Sequence, residues 1–148
     1  MLDATTEQVL QDVLRAETRS VLHYVEDAFP WTAAGGEEAV GKLRALIREE
    51  MDATADLGRY LFRHHVPPLP SGMYPASFTT LNFVSLQHLL PRLIDYEAKS
   101  ADRLREVLPT VPDPEAKHLL GSLVALKERH SDELRQLQNV STEPAVKT

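Results

Sequence analysis

Four ionisable residues interrupt the apolar faces of the helices that this sequence predicts. Each falls on a stripe of apolar residues that recurs every three or four positions: Glu17, Glu50, Glu97 and His130. A carboxylate on such a buried face is costly unless a cation pairs with it or a metal ion binds it. Carboxylates and an imidazole are suitable ligands for iron, manganese or zinc. The sequence therefore predicts a polar site inside a helical core, near the middle of each helix.

The fourth stripe also carries a lysine, Lys127, three residues before His130. A charged ammonium has no lone pair to offer a metal ion, and it pairs with carboxylates instead. We therefore predict that this ammonium bonds to at least one of Glu17, Glu50 and Glu97. Three carboxylates facing one ammonium leave an excess of negative charge. A protonated His130, a shared carboxyl proton or one retained metal ion would have to balance that charge.

Four helical segments are predicted to position these residues in an all-α fold. Their expected bounds are Thr5 or Thr6 to about Phe29, Glu37 to His65, Ala76 to Leu108, and Pro114 to about Asn139. Thr5 and Gln8 have the spacing of a capping box, and Asp113 is the expected cap of the last helix. The chain is thus predicted to form one bundle domain over residues 1–140, followed by a disordered tail over residues 141–148.

The connection between the second and third helices is long and rich in proline. Residues 66–77 include prolines at 67, 68, 70 and 75, which exclude regular structure. Twelve extended residues reach ~40 Å, and the 29-residue second helix would be ~43 Å long. These lengths predict a crossover from one end of a four-helix bundle to the other, joining two antiparallel hairpins. A plain up-down-up-down bundle with an oversized loop is the alternative.

The composition is that of a globular protein with an acidic balance. The chain has 148 residues, a net charge of −6 and no cysteine, which excludes disulfides and thiolate metal sites. The absence of a basic run argues against nucleic-acid binding, and no apolar run is long enough for a membrane helix. These features fit a cytoplasmic protein. No nucleophile–base pair or phosphate-binding loop is evident that would indicate an enzyme class.

With these helices in place, the chain resembles the bacterioferritin branch of the ferritin-like family. Short motifs in all four helices carry the likeness: Leu14-x-x-Glu17 with Tyr24, Glu50-Met51 with Ala55-Asp56, Glu97 with Ala101 and Leu104-Arg105-Glu106, and Glu128-Arg129-His130. The family's di-iron centre takes one Glu each from the first and third helices and a Glu-x-x-His pair each from the second and fourth. The resemblance implies that fold and places Glu17, Glu50, Glu97 and His130 at positions of the family's ligands.

Two positions depart from the family's ligand set. Ala53 stands where the second helix would supply its histidine, and Lys127 where the fourth would supply its glutamate. The favoured interpretation is a metal-free polar core tied together by Lys127, in a protein without ferroxidase activity that acts through assembly or partner binding. The second interpretation is a single ion of iron, manganese or zinc held by Glu50, Glu97 and His130. The third is a working di-iron oxidase or iron-storage protein.

The resemblance also implies self-association, as a homodimer through the first two helices or as a larger homo-oligomer. Met51 matches the family's haem-ligating methionine, but packing at an interface is the favoured interpretation over haem. Tyr24 is expected to face inward near Glu17. We predict that its hydroxyl bonds to a core carboxylate, since a buried phenol needs a partner.

Overall fold

The computed structural model describes residues 2–32, 36–69 and 72–142, with side chains described as far as Asn139. These ranges are helical, as the all-α prediction requires, and a single bridge between Trp31 and Ser85 is their only β-type pairing. The α-helices are α1 (Ala4–Thr18), α2 (Val21–Asp27), α3 (Glu37–Arg63), α4 (Leu86–Val107) and α5 (Pro114–Thr142). Short 3-10 helices at Ala76–Leu81 and Leu108–Thr110 flank α4. None of the described helices carries an apolar stretch that would traverse a bilayer.

The predicted first helix is in fact two helices, α1 and α2. Asp3 caps α1 by accepting a hydrogen bond of 2.9 Å from the backbone N–H of Thr6, so the predicted capping box at Thr5 is wrong. Ser20 then opens α2 by accepting from the backbone N–H of His23. A serine at this position satisfies a free N–H group of a new helix start, which is why the chain can break there. The three- and four-residue spacing of apolar residues continues from α1 into α2, so the sequence pattern gives no sign of the break.

The predicted third helix begins too early. Residues 76–81 form a 3-10 helix, and α4 starts only at Leu86, with Ser85 as its cap. The hydroxyls of Thr79 and Thr80 donate to backbone carbonyls three residues back, at 2.7 and 2.8 Å. Such local bonds compete with the hydrogen-bond pattern of an α-helix, so this segment does not form one.

The predicted starts of the second and fourth helices, now α3 and α5, are confirmed. α5 begins at Pro114, and Asp113 caps it by accepting a hydrogen bond of 2.8 Å from the N–H of Ala116. α3 ends at Arg63, two residues before the prediction, and His65 adopts a left-handed φ of 58° just after it. α5 runs on to Thr142, beyond its predicted end near Asn139 and into the first two residues of the predicted tail. Residues 143–148 of that tail lie outside the described part.

Two apolar cores lie at successive levels along the helices. The upper core comprises Val21, Leu22, Val25, Leu43, Leu46, Ile47, Phe78, Leu81, Leu86, Leu89, Leu90, Leu93, Leu134 and Leu137. The lower core comprises Leu2, Leu10, Val13, Leu57, Tyr60, Leu61, Val66, Leu104, Val111, Ala116, Leu120, Leu123 and Val124. α3 and α4 each reach the upper core first and the lower core further along the chain. The α1–α2 pair and α5 reach the two cores in the opposite order.

The connection between α3 and α4 passes from one core to the other. Val66, just beyond α3, packs in the lower core, whereas Phe78 and Leu81 of the same connection pack in the upper core. The ring of Tyr74 also meets that of Tyr24 edge to face, with centroids 5.2 Å apart. Residues 70 and 71 of the proline-rich segment lie outside the described residues, as do residues 33–35 between α2 and α3.

Candidate functional site

A layer of polar residues separates the upper and lower cores. It consists of one or two side chains from each of four helices, none of them more than 3 % exposed: Glu17, Glu50, Glu97, Lys127 and His130. On α3, for example, Glu50 follows Ile47 of the upper core and precedes Leu57 of the lower core. The structure therefore brings the four predicted ligand residues and Lys127 to one depth, where they are almost fully buried.

Lys127 lies at the centre of this layer. Its Nζ is 2.8 Å from Glu50 Oε1, 2.9 Å from Glu17 Oε2 and 3.7 Å from Glu97 Oε1. The predicted bond to at least one of these carboxylates is confirmed, and the ammonium contacts all three. Because these side chains come from α1, α3 and α4, one side chain of α5 connects four helices.

Glu50 joins the lysine to the histidine. Its Oε1 accepts from Lys127, and its Oε2 lies 2.8 Å from Nδ1 of His130. Nδ1 is the donor in that bond, because an ionised carboxylate only accepts. Burial alone would raise the pKa of Glu50, but the bond to His130 and the charge of Lys127 outweigh it and lower the pKa to about 2. Glu50 is therefore the ionised carboxylate of the layer.

Glu97 has the opposite character. Burial raises its pKa to about 10, with Lys127 opposing that rise and the neighbouring Glu50 reinforcing it. At neutral pH Glu97 is thus a neutral acid, whose O–H is a donor beside an ionised carboxylate. The sequence left three ways of balancing the charge of the layer, and one of them was a carboxyl proton. The raised pKa of Glu97 assigns that proton to this residue.

Burial and neighbouring charges also act in opposite directions on the pKa values of Glu17 and Lys127. Burial raises the pKa of Glu17, while the charge of Lys127 and a hydrogen bond from Ser100 act against the rise. Burial by itself would lower the pKa of Lys127, but the three surrounding carboxylates raise it above its ordinary value. The ammonium therefore stays charged in an apolar interior, because its removal would leave carboxylates without a cation.

This donor set does not fit two metal ions. The ammonium of Lys127 stands among the carboxylates, both oxygens of Glu50 are already engaged, and Ala53 offers no ligand atom. The oxygens of Glu97 and Nε2 of His130 are buried without a hydrogen-bond partner. Ligand atoms of Glu50, Glu97 and His130 lie within 4.8 Å of one another, which is the geometry of at most one ion.

The other residues singled out by the sequence lie away from this layer. Ala53 packs against the lower core, and Met51 is 39 % exposed on α3. The prediction for Tyr24 is wrong, because its hydroxyl donates to the side-chain oxygen of Asn82. The break before α2 places Tyr24 in contact with the upper core, above the level of Glu17.

Two residues that the pattern does not single out border the layer. Glu49 Oε1 lies 3.7 Å from Nε2 of His130, while Arg129 holds the same carboxylate group with a contact of 2.5 Å. Tyr96 packs against the upper core. Burial raises the pKa of its hydroxyl, and the nearby carboxylate of Glu17 adds to the rise. Glu49 directly precedes Glu50 in the sequence, and Tyr96 directly precedes Glu97. That adjacency is the only feature of the sequence that could have indicated their place beside the layer.

The chain was compared with protein-family models, curated proteins and solved structures, and none of the three comparisons found a match.

Proposed function

We propose that this protein is a ferritin-like helical bundle in which the ammonium of Lys127 takes the place of the metal centre. It would then act without ferroxidase chemistry, through assembly or partner binding. The observation that carries the proposal is the contact of one buried Nζ with Glu17, Glu50 and Glu97 at 2.9, 2.8 and 3.7 Å. A cation placed among these three acidic side chains performs the charge-neutralising part of a metal ion's role without offering a reactive coordination position.

The order in which the helices reach the two cores supports the ferritin-like part of the proposal. α3 and α4 cross the cores in the same direction, and the α1–α2 pair and α5 cross them in the other. That order corresponds to two antiparallel hairpins joined by one long crossover, rather than to a simple up-down-up-down bundle. The passage of the α3–α4 connection from the lower core at Val66 to the upper core at Phe78 supports the same topology.

One observation favours a second candidate, a site for a single ion. The oxygens of Glu97 and Nε2 of His130 are buried without a hydrogen-bond partner, and Glu50 is close to both residues. An ion there would have to displace the proton from Glu97 and compete with Lys127 for Glu50. These costs are the reason we place this candidate second.

The experiment replaces Lys127 by the residue type that the family carries there. In Lys127→Glu the ammonium is lost and a possible bridging carboxylate is restored, so this variant should be unstable with chelator and should recover with Fe²⁺ or Mn²⁺. A ligand that binds only the native state stabilises it by about 2.7 kcal/mol at a hundredfold excess over its Kd. The thermal midpoint of the wild type, by contrast, should not change with metal. Metal content of both purified proteins is measured in parallel.

Lys117→Glu is the matched control, because it makes the same charge change on an exposed position of the same helix. It should leave the thermal midpoint insensitive to metal. If the wild type binds iron and gains as much stability from it as Lys127→Glu does, Lys127 does not replace a metal ion, and the proposal is lost.

Self-association is the second part of the proposal. The resemblance implies a dimer through the α1–α2 pair and α3, and Met51 and Phe62 of α3 expose 39 % and 82 % of their surface. Such exposed apolar residues on one helix are compatible with an interface. Sedimentation at high micromolar concentration should give the mass of a dimer or larger assembly, and a monomer there would contradict this part.

A further inference from the structure

A groove between α1 and α4 leads from the surface down to the polar layer. It has a volume of about 200 Å³, and most of its wall is apolar, formed by Val9 and Val13 of α1 and Leu104 and Val107 of α4. Glu17 lines its floor. For comparison, an apolar cavity of about 150 Å³ is large enough to hold benzene. A mostly apolar pocket with a few convergent polar groups is the usual form of a small-molecule site.

The polar groups converge at the floor of the groove. Glu17, Ser100 and Tyr96 all line it, and only 3 % of the Glu17 surface is exposed. Ser100 lies close enough to Glu17 for its hydroxyl to lower the pKa of that carboxyl. Glu17 Oε2 is closed to solvent and faces the ammonium of Lys127 at 2.9 Å. Since two carboxylate oxygens accept up to about four bonds, Glu17 keeps acceptor capacity towards the groove that it lines.

The charges of the groove indicate which ligand it would accept. At the floor, Glu17 shares the one ammonium of Lys127 with the ionised Glu50, so negative charge is in excess and an anionic ligand is disfavoured. At the rim, Asp12 and Arg103 carry opposite charges. The mostly apolar wall gives a charged ligand little to replace its hydration, so a neutral ligand is favoured. By comparison, the larger groove of about 350 Å³ between α3 and α5 has ionisable groups only at an outer rim of Glu49, Asp52 and Asp56.

We propose that the groove between α1 and α4 binds a small, neutral, mainly apolar molecule with one hydrogen-bond donor, such as a phenol or an indole. The ring lies between Val13 and Leu104, and the donor bonds to Glu17. This inference rests on the proposed function, because Glu17 must be available to the ligand rather than to a metal ion. It adds a ligand class to a protein otherwise assigned only to assembly or partner binding.

The test titrates the chelator-treated full-length protein with phenol and follows backbone amide shifts by NMR. Saturable shifts are expected along the groove-facing parts of α1 and α4. Toluene lacks the donor and should bind roughly fivefold to tenfold more weakly, the factor that one net hydrogen bond provides. Benzylammonium and benzoate should also bind more weakly than phenol. Equal binding of toluene, or tighter binding of either ion, would overturn the assignment.

A pair of alanine variants locates the site. Ala16 is exposed and lines the groove, so Ala16→Phe should close it and weaken phenol binding by about tenfold or more. Ala125 is exposed on α5 and does not line the groove, so Ala125→Phe should bind as the wild type does. Intermolecular NOEs from the phenol ring to methyl groups of Val13 and Leu104 test the location in the unsubstituted protein. The absence of saturable binding, or NOEs to another region alone, would reject the groove.

The two proposals fail separately. Metal analysis of the untreated protein decides whether the core is metal-free, and phenol binding is measured after chelation. Two bound irons together with phenol binding would reject the proposed function and leave the groove assigned. A metal-free core without phenol binding would do the reverse.

Discussion

Two ion pairs join α5 to α3 with similar geometry and opposite burial. Lys127 lies 2.8 Å from Glu50, and neither side chain is exposed, whereas Arg129 lies 2.5 Å from Glu49 with 49 % and 41 % of the side chains exposed. Lys127 and Arg129 are two positions apart on α5, and Glu49 and Glu50 are adjacent on α3. The difference between the pairs is therefore their access to water and not their distance. Burial makes the first pair expensive to break, while water can replace either partner of the second.

The largest expected effect comes from removing the buried cation. Lys127→Ala should lower the free energy of unfolding by ~3–5 kcal/mol, because it leaves carboxylates in an interior with no cation to pair with. Urea unfolding at neutral pH, with chelator present, measures it. Lys127→Met with Glu50→Gln removes both charges together and should recover part of the loss. If the double variant is no more stable than Lys127→Ala, the loss reflects packing rather than uncompensated charge.

An intermediate effect is expected from pH, through Glu97. The pKa of this group is raised from 4.5 to about 10, so the native state keeps a proton that the unfolded state releases between these values. Stability should therefore fall as pH rises through this window. Glu97→Gln mimics the neutral acid, so it should cost little at neutral pH and flatten the decline.

Glu50 provides the opposite pH dependence within the same layer. Its pKa is lowered from 4.5 to about 2, so its contribution is present above the unfolded value and is lost as the pH falls from 4.5 towards 2. Urea midpoints of the wild type and Glu97→Gln, compared between about pH 5 and about pH 9, separate the two groups. A decline that is equally steep in both proteins would show that Glu97 does not hold the proton.

The smallest effect is expected at the exposed pair. Arg129→Ala should change the free energy of unfolding by less than about 1 kcal/mol, and high salt should reduce the difference further. A double-mutant cycle with Glu49→Ala gives the coupling energy directly. A coupling energy as large as the loss of unfolding free energy in Lys127→Ala would contradict the idea that burial makes the two pairs differ in strength. The contact of Glu49 with Nε2 of His130 would then be the next interaction to test.

Much of the secondary structure follows from local rules that can be read in the sequence. Pro114 after Asp113 fixes the start of α5, because each residue type is favoured at its position by the free N–H groups of a helix terminus. The break before Ser20 and the 3-10 helix of residues 76–81 could not be predicted from the apolar period. Both are local hydrogen-bond alternatives to an α-helix, and an apolar stripe does not report them.

For the candidate site, the sequence is enough to identify the residues that share the buried faces. Helical periodicity places Glu17, Glu50, Glu97 and His130 on apolar stripes, and burial then requires each to find a partner. The sequence also predicts Lys127 as a partner of at least one carboxylate, but the full set of contacts depends on the tertiary structure. That structure brought the ammonium of Lys127 within reach of three helices, bonded Nδ1 of His130 to Glu50, and left Glu97 with a proton. Those outcomes depend on distances between side chains far apart in the sequence and on the exclusion of water, neither of which a one-dimensional pattern contains.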